Sequence, residues 1–338
     1  TLMAATLEID GQFGRAADMY AKVLAAPDIE TEKRQVNAKS EARLRFQSGS
    51  YARVVEILTP IIDPLEETYL TQVEATATHE AGIDFAKQIT TLAFAHAHRG
   101  EWAQAIHYLE RSKSLRLRYR AAVRKSSQGQ QLLTLERAMH ALLRGTTPEE
   151  LVAKKARAED WMGEKLTLHS KVLEAYRAAL PDLSQTSLIT PTIRDIADVL
   201  AKDEAVVVLG LNNSGSLTAI ILPGDDDLPS GHFLNKEAGI AFFAQMLAGK
   251  KENGWLYVLG APELNLDKRQ VLSDLLNDLE RVFGQPLAQF LNKRGVRRIT
   301  ILPHLLFHLL PFWALPSLAP YEVVMSPSAA HFVGSRKQ

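Results

Sequence analysis

The chain has 338 residues, 46% hydrophobic and 23% charged, with Lys plus Arg and Asp plus Glu equal at 39 each. That length suits two or three domains, and the balanced charge excludes the global field that draws nucleic acid or an anionic membrane. The absence of cysteine excludes disulfides, thiolate metal sites and any cysteine nucleophile within these residues. No apolar run reaches bilayer-spanning length and no secretory pattern marks the N-terminus, so a cytoplasmic location is expected.

The first half repeats. Gly11, Gly49 and Gly100 share one neighbourhood: Ala4, Ala42 and Ala93 stand seven residues before them, and Phe13, Tyr51 and Trp102 two residues after. Ala16, Val54 and Ala105 follow at five, and Tyr20, Leu58 and Leu109 at nine. A small residue lets a partner helix approach, the glycine makes a tight turn, and the aromatic opens the inward face of the next helix. These segments, GQFGRAADMYAKVL, GSYARVVEILTPII and GEWAQAIHYLERS, resemble tetratricopeptide repeats. Their periods, about 38 and 51, exceed the ideal of about 34, which implies long helices or enlarged connections. Counted back from Gly11, Thr1 falls inside a helix, so an upstream truncation is expected.

Beyond Ser112 the helical pattern continues without a clear repeat. Met162, Leu166, Leu173, Tyr176 and Leu180 form one apolar stripe that stops at Pro181. The Ser-, Thr- and Pro-rich stretch from Pro181 to Pro191 reads as the domain boundary.

After Pro191 the period changes. Strands are expected at 205–211, 217–223, 297–303 and 321–327, with a hairpin turn at Asn213, Ser214 and Gly215. Helices are expected around 236–248 and 267–292, and WLYVL at 255–259 reads equally as strand or buried loop. Nearly continuous apolar strands flanked by helices imply a sheet covered on both faces.

The segment TIRDIADVLAKDEAVVVLGLNNSGSLTAIIL resembles the opening of a CHAT domain, a caspase-like module. RRITILPHLLFHLLPFWAL and YEVVMSPSAAHF resemble its most recognisable stretch, through Pro303, His304, His308, Leu310, Pro311, Phe312, Leu315, Pro327, Ser328 and Ala329. Leu305 stands where that family usually has glycine, which puts the build of that turn in question. The match covers about 192–332 and follows the repeats directly. The resemblance implies a His-Cys catalytic pair, the histidine in a His-Gly step and the cysteine after the next strand. Both are expected beyond Gln338, since neither is present here in that context.

The expected architecture is therefore an α-helical, TPR-like solenoid over 1–185, then an incomplete α/β caspase-like (CHAT) domain over 186–338. Within these residues no catalytic, cofactor-binding or metal-binding residue is assigned and no cofactor is expected. The expected partners are a protein or peptide on the concave surface of the repeats and a C-terminal catalytic segment of the same protein, with no membrane and no nucleic acid. The alternative is a non-enzymatic repeat scaffold with a degenerate CHAT-like domain. A third reading replaces the second half with an unrelated α/β hydrolase or ligand-binding domain. A bacterial origin is implied only by where the module pairing is common.

Several residues invite a sharper reading and are assigned a structural one. His304 and His308, four apart near a strand end, lack a neighbouring acid to complete a metal set. His96, His98 and His107 lie on paired helices, and His96 falls on a packing position. The acid-free run from Arg111 to Lys125 reads as a solvated helix face before it reads as a dock for an acidic partner or a nucleic-acid backbone. Asp225 to Asp227 read as an exposed turn, and Gly210 and Gly215 lack a dinucleotide fingerprint. No Gly-x-Ser-x-Gly elbow or P-loop lysine occurs. The basic end at Ser335 to Gln338 suggests a processing site of the kind cleaved after basic residues.

Overall fold

The computed structural model describes residues 2–26, 29–71, 75–113, 171, 174, 190–242, 266–292 and 294–337. The apolar stripe at 162–180, the WLYVL segment and residues 243–248 of the expected helix at 236–248 lie outside them; of the remainder, 236–239 form a turn and 240–242 are helical. The chain divides into two compact units: Thr1–Ile89 with Ser114–Thr190, and Thr90–Lys113 with Pro191–Gln338. Among the described residues no helix is long and apolar enough to cross a membrane.

The first unit contains helices α1 (Leu2–Ile9), α2 (Phe13–Leu24), α3 (Thr31–Gln47) and α4 (Tyr51–Thr71), and the first part of α5 (Ala75–His98). Gly11 and Gly49 sit between helices at φ +71° and +77°. Each closes its helix in the same way. The Gly11 N–H donates to the Glu8 carbonyl and the Gln12 N–H to that of Leu7; the Gly49 N–H donates to Phe46 and the Ser50 N–H to Arg45. This is the Schellman arrangement, in which a left-handed residue turns the chain back onto the last helical carbonyls. The alanines seven residues earlier, Ala4 and Ala42, are buried, as are Ala16 and Val54. Ion pairs lie around this small core: Arg43 with Glu8, Arg45 with Asp18 at 2.6 Å, and Arg53 with the fully buried Glu41 at 3.1 Å.

The second unit begins with the end of α5 and contains α6 (Trp102–Ser112). Gly100, at φ +79°, repeats the same turn: its N–H donates to Ala97 and that of Glu101 to His96. Then come α7 (Ile193–Ala197), β1 (Glu204–Asn212), β2 (Gly215–Ile221) and β3 (Gly231–Asn235). Helix α8 (Leu266–Leu279) runs through a π-helical turn at Glu280–Gly284 into α9 (Gln285–Leu291). β4 (Arg298–Leu302), three short 3-10 turns, β5 (Glu322–Met325) and α10 (Ala329–Arg336) complete the unit.

The sheet is mixed, in the order β3-β2-β1-β4-β5. β1 and β2 form the expected antiparallel hairpin, closed at Asn212 opposite Gly215, while β4 and β5 run parallel to β1. β3 was not expected from the sequence. β1 is buried along both faces. Ala205, Val207, Leu209 and Leu211 meet the α8–α9 layer, with Leu279, Phe283, Ile299 and Ile301 in the same cluster. The loop after β4 folds under this face, where Phe307 and Phe312 pack edge-on or tilted against Phe283 and each other. The other face of β1 meets α6: a Cβ on Gly210 would stand 2.6 Å from Leu109 Cδ1. Trp102 meets His232 of β3 at 4.4 Å between ring centroids. Both faces are thus covered, as the continuous apolar strands imply.

Candidate functional site

The densest chemistry in the second unit lies at the C-terminal ends of the parallel strands, the end at which open α/β sheets place their sites. Glu110 stands in the last turn of α6, and Lys113 follows three residues later on the same side. Their side chains are 1% and 3% exposed, and Lys113 Nζ donates to Glu110 Oε1 at 2.6 Å. Lys113 Nζ also donates to the carbonyl of Leu302, the last residue of β4, at 2.8 Å. The second carboxylate oxygen, Glu110 Oε2, accepts the N–H of Ala329, the first residue of α10, at 2.7 Å. One ion pair therefore joins α6 to a strand end and a helix start. Burial pushes the Lys113 ammonium below the usual lysine range, while the adjacent Glu110 carboxylate opposes that shift.

His304 lies two residues past β4 and is buried, with no hydrogen-bond partner at Nδ1. Burial, then the positive charges of Lys113 and His308, push it down to about 3. His308, half-buried, is lowered by burial and Lys113 and raised by Glu110. His304 is thus a neutral imidazole beside a buried cation, which does not take up a second proton near pH 7. Leu305 follows at φ +51°, the single non-glycine residue with positive φ among those described. It adopts the conformation that glycine supplies cheaply.

Opposite this cluster, at the N-terminal ends of the strands, Glu204 accepts from Arg298 Nη1 and Arg336 Nη2, each at 2.8 Å. Burial raises its carboxyl, but the Ala201 N–H and the two guanidinium groups more than offset this and hold it below the usual range. α10 consequently spans the sheet, its start at Glu110 and its end at Glu204.

The remaining sequence candidates are placed as follows. His96 Nδ1 bonds Glu101 Oε2 at 2.6 Å across the Gly100 turn and stacks on Tyr108 at 5.3 Å, with Nε2 buried and partnerless. His98 and His107 are both lowered by burial, helped by Lys236 and Arg111 respectively. Among the described residues no three His, Cys, Asp or Glu converge as a metal set. Asp225 holds its own turn, accepting from Leu222 N, Ser230 N and Ser230 Oγ. Asp226 pairs with Arg194 at the surface. Gly210 provides the close approach of Leu109, and Gly215 closes the hairpin. In the Arg111–Lys125 run, Lys113 is buried rather than solvated; Arg116 to Lys125 lie outside the described residues.

A groove of about 520 Å³ runs between α9 and the loop before β5, lined by Gln285, Gln289, Asn292, Val296, Pro320 and Tyr321 among others, none of them charged. A smaller one of about 260 Å³ lies where β4 and β5 meet α10. Sequence reasoning missed Glu110 and Lys113. The one available signal is an acid and a base three apart at the end of an amphipathic helix, a pattern that usually marks a solvated pair. Comparison with protein-family models, with curated proteins and with solved structures found no match.

Proposed function

We propose that the chain is the first, non-catalytic portion of a cysteine peptidase of the TPR-CHAT type. Its repeats hold a protein or peptide partner, and its sheet unit is completed by a segment beyond Gln338 that carries the catalytic His and Cys. The observation that carries this reading is the β4–loop–β5 segment. Leu305 takes the left-handed conformation at the position where the family has glycine, and Leu310, Phe312 and Leu315 are buried under the sheet. The three identically closed glycine turns support the repeat half of the reading.

The catalytic division of labour follows from chemistry. A thiol becomes an effective nucleophile only beside a base that takes its proton. Here the strand ends hold a buried ion pair and a neutral, buried imidazole, and the chain has no thiol. These residues therefore scaffold a site and do not form one. The zero cysteine count also motivates the second reading, a non-enzymatic repeat scaffold with a degenerate CHAT-like domain. The two separate on one experiment. The full-length gene product is labelled with a cysteine-directed peptide electrophile and assayed for cleavage of a peptide library. A labelled cysteine behind a His-Gly step, with cleavage abolished by its change to alanine, supports the peptidase. A product without that cysteine supports the scaffold.

A further inference from the structure

The groove between α9 and the loop before β5 has a volume of about 520 Å³, within the range of roughly 300–1,000 Å³ of ligand-holding clefts. One wall carries a row of carboxamides, Gln285, Gln289 and Asn292; the other carries Ser317, Pro320 and Tyr321. Residues four and seven apart share a helix face, so the three amides follow one another along the groove. Among the described residues none of these amides has a hydrogen-bond partner. No lining residue is charged. The neighbouring Arg294 is turned onto Phe290, its guanidinium 4.0 Å from the ring centroid and its Nε donating to the Phe290 carbonyl at 3.0 Å.

Two features show how the walls are set. The helix enters the groove through the π-helical turn at Glu280–Gly284, a rare element found mostly at functional sites. Its extra residue rotates everything after it by about 100°, which turns the amide row toward the loop while Leu287 and Leu291 stay buried. Glu280 of that turn ties the walls together, its Oε1 accepting the Ser317 N–H at 3.2 Å. Ser317 Oγ is buried without a hydrogen-bond partner. Gly284 leaves that hydroxyl its place, since a Cβ there would stand 2.7 Å from it. A buried, unpaired hydroxyl is unfavourable until a partner is supplied.

We infer that the groove holds an extended peptide segment of about three to four uncharged residues, read through its main chain by the amide row. A carboxamide offers a donor and an acceptor side by side, the complement of a peptide C=O and N–H. Gln285 and Gln289 stand about 6 Å apart along the helix axis. That is close to the roughly 6.6 Å at which an extended strand turns its peptide groups to the same side. Charge narrows the occupant further: a phosphate, a carboxylate or a basic side chain would be desolvated here without a counter-ion, whereas a neutral segment loses nothing. Pro320 and Tyr321 supply an apolar wall for alternate side chains. The inference goes beyond the peptidase reading and stands whether or not that reading does.

The test presents the full chain with an array of capped, uncharged hexapeptides and, beside it, an array of neutral oligosaccharides. The wild type is expected to retain a subset of the peptides, and Gln285→Ala/Gln289→Ala to bind that subset at least tenfold more weakly, on the order of ten. Methylating alternate main-chain nitrogens of a retained peptide, its side chains unchanged, should cause a loss of similar size. Both glutamines are exposed, so the variant should melt within about 2 °C of the wild type, which separates a lost contact from a lost fold. Should it not fold, Ala288→Trp replaces it, filling the groove from the same helix and abolishing retention. No retained peptide in the wild type, equal retention by wild type and variant, or binding that survives methylation overturns the proposal. Capture of oligosaccharides with the same dependence on Gln285 and Gln289 overturns it equally, in favour of a sugar site. Since no cleavage is read, failure here leaves the peptidase reading untouched.

Discussion

His304 makes the sharpest quantitative prediction. Its imidazole is fully buried, Nδ1 has no partner, and the cation of Lys113 lies close enough to oppose a second charge. Its folded value is pushed down to about 3 from the usual 6.5. Between those limits the unfolded chain binds a proton that the folded chain refuses, so stability falls as pH drops below about 6.5 and the loss is complete near pH 3. Each unit in that window corresponds to about 1.4 kcal/mol. From pH 7.5 to pH 5 this one residue therefore removes about 2 kcal/mol. His304→Gln cannot titrate and should lack that component. The assay is urea denaturation of wild type and variant at both pH values, reading the difference between the two pH-dependent changes. A difference near 2 kcal/mol agrees with the burial and charge described. Equal pH dependence in the two proteins refutes it, because His304 would then titrate alike folded and unfolded.

Three further outcomes follow from the backbone and packing. Leu305→Gly should be more stable than Leu305→Ala by about 1 kcal/mol, since only glycine escapes the left-handed penalty at φ +51°; a thermal melt with the order reversed refutes the strain. Gly49 has no neighbour within 4 Å of an added Cβ, so Gly49→Ala should lose about 1 kcal/mol from torsion alone, with Gly49→Asn losing less; equal melting temperatures for both variants and wild type would contradict that. Gly210→Ala drives a Cβ into Leu109 and should destabilise by about 1–3 kcal/mol. In a Leu109→Ala background the same change should cost at least 1 kcal/mol less, and a double-mutant cycle without coupling would remove α6 from the face of β1.

What was legible in the sequence is uneven, for physical reasons. Gly11, Gly49 and Gly100 were readable as turns because a left-handed helix end selects glycine, and the buried alanines seven residues earlier repeat with them. β1 and β4 were readable because strands buried on both faces need continuous apolar runs. β3 escaped because Gly231 and His232 interrupt its pattern. Gly231 is small because Phe290 occupies the space above it, and His232 stacks on Trp102, and neither contact is local in sequence. The pair Glu110–Lys113 escaped for the same reason: its partners Ala329 and Leu302 are 219 and 189 residues away. The expectation that Lys113 belongs to a solvated face rests on the local run of charged and apolar residues, which says nothing of partners so distant in sequence. The question about the turn at Leu305 has a definite answer, since leucine takes the glycine conformation there at a torsional cost.

The measurement that bears most directly on the proposed function is peptide mapping of the full-length gene product after reaction with a cysteine-directed peptide electrophile. One labelled cysteine is expected beyond Gln338, preceded by a His-Gly step, with cleavage lost when it is changed to alanine. A full-length product in which no cysteine follows Gln338, or in which its removal leaves cleavage intact, refutes the peptidase reading and favours a repeat-based scaffold.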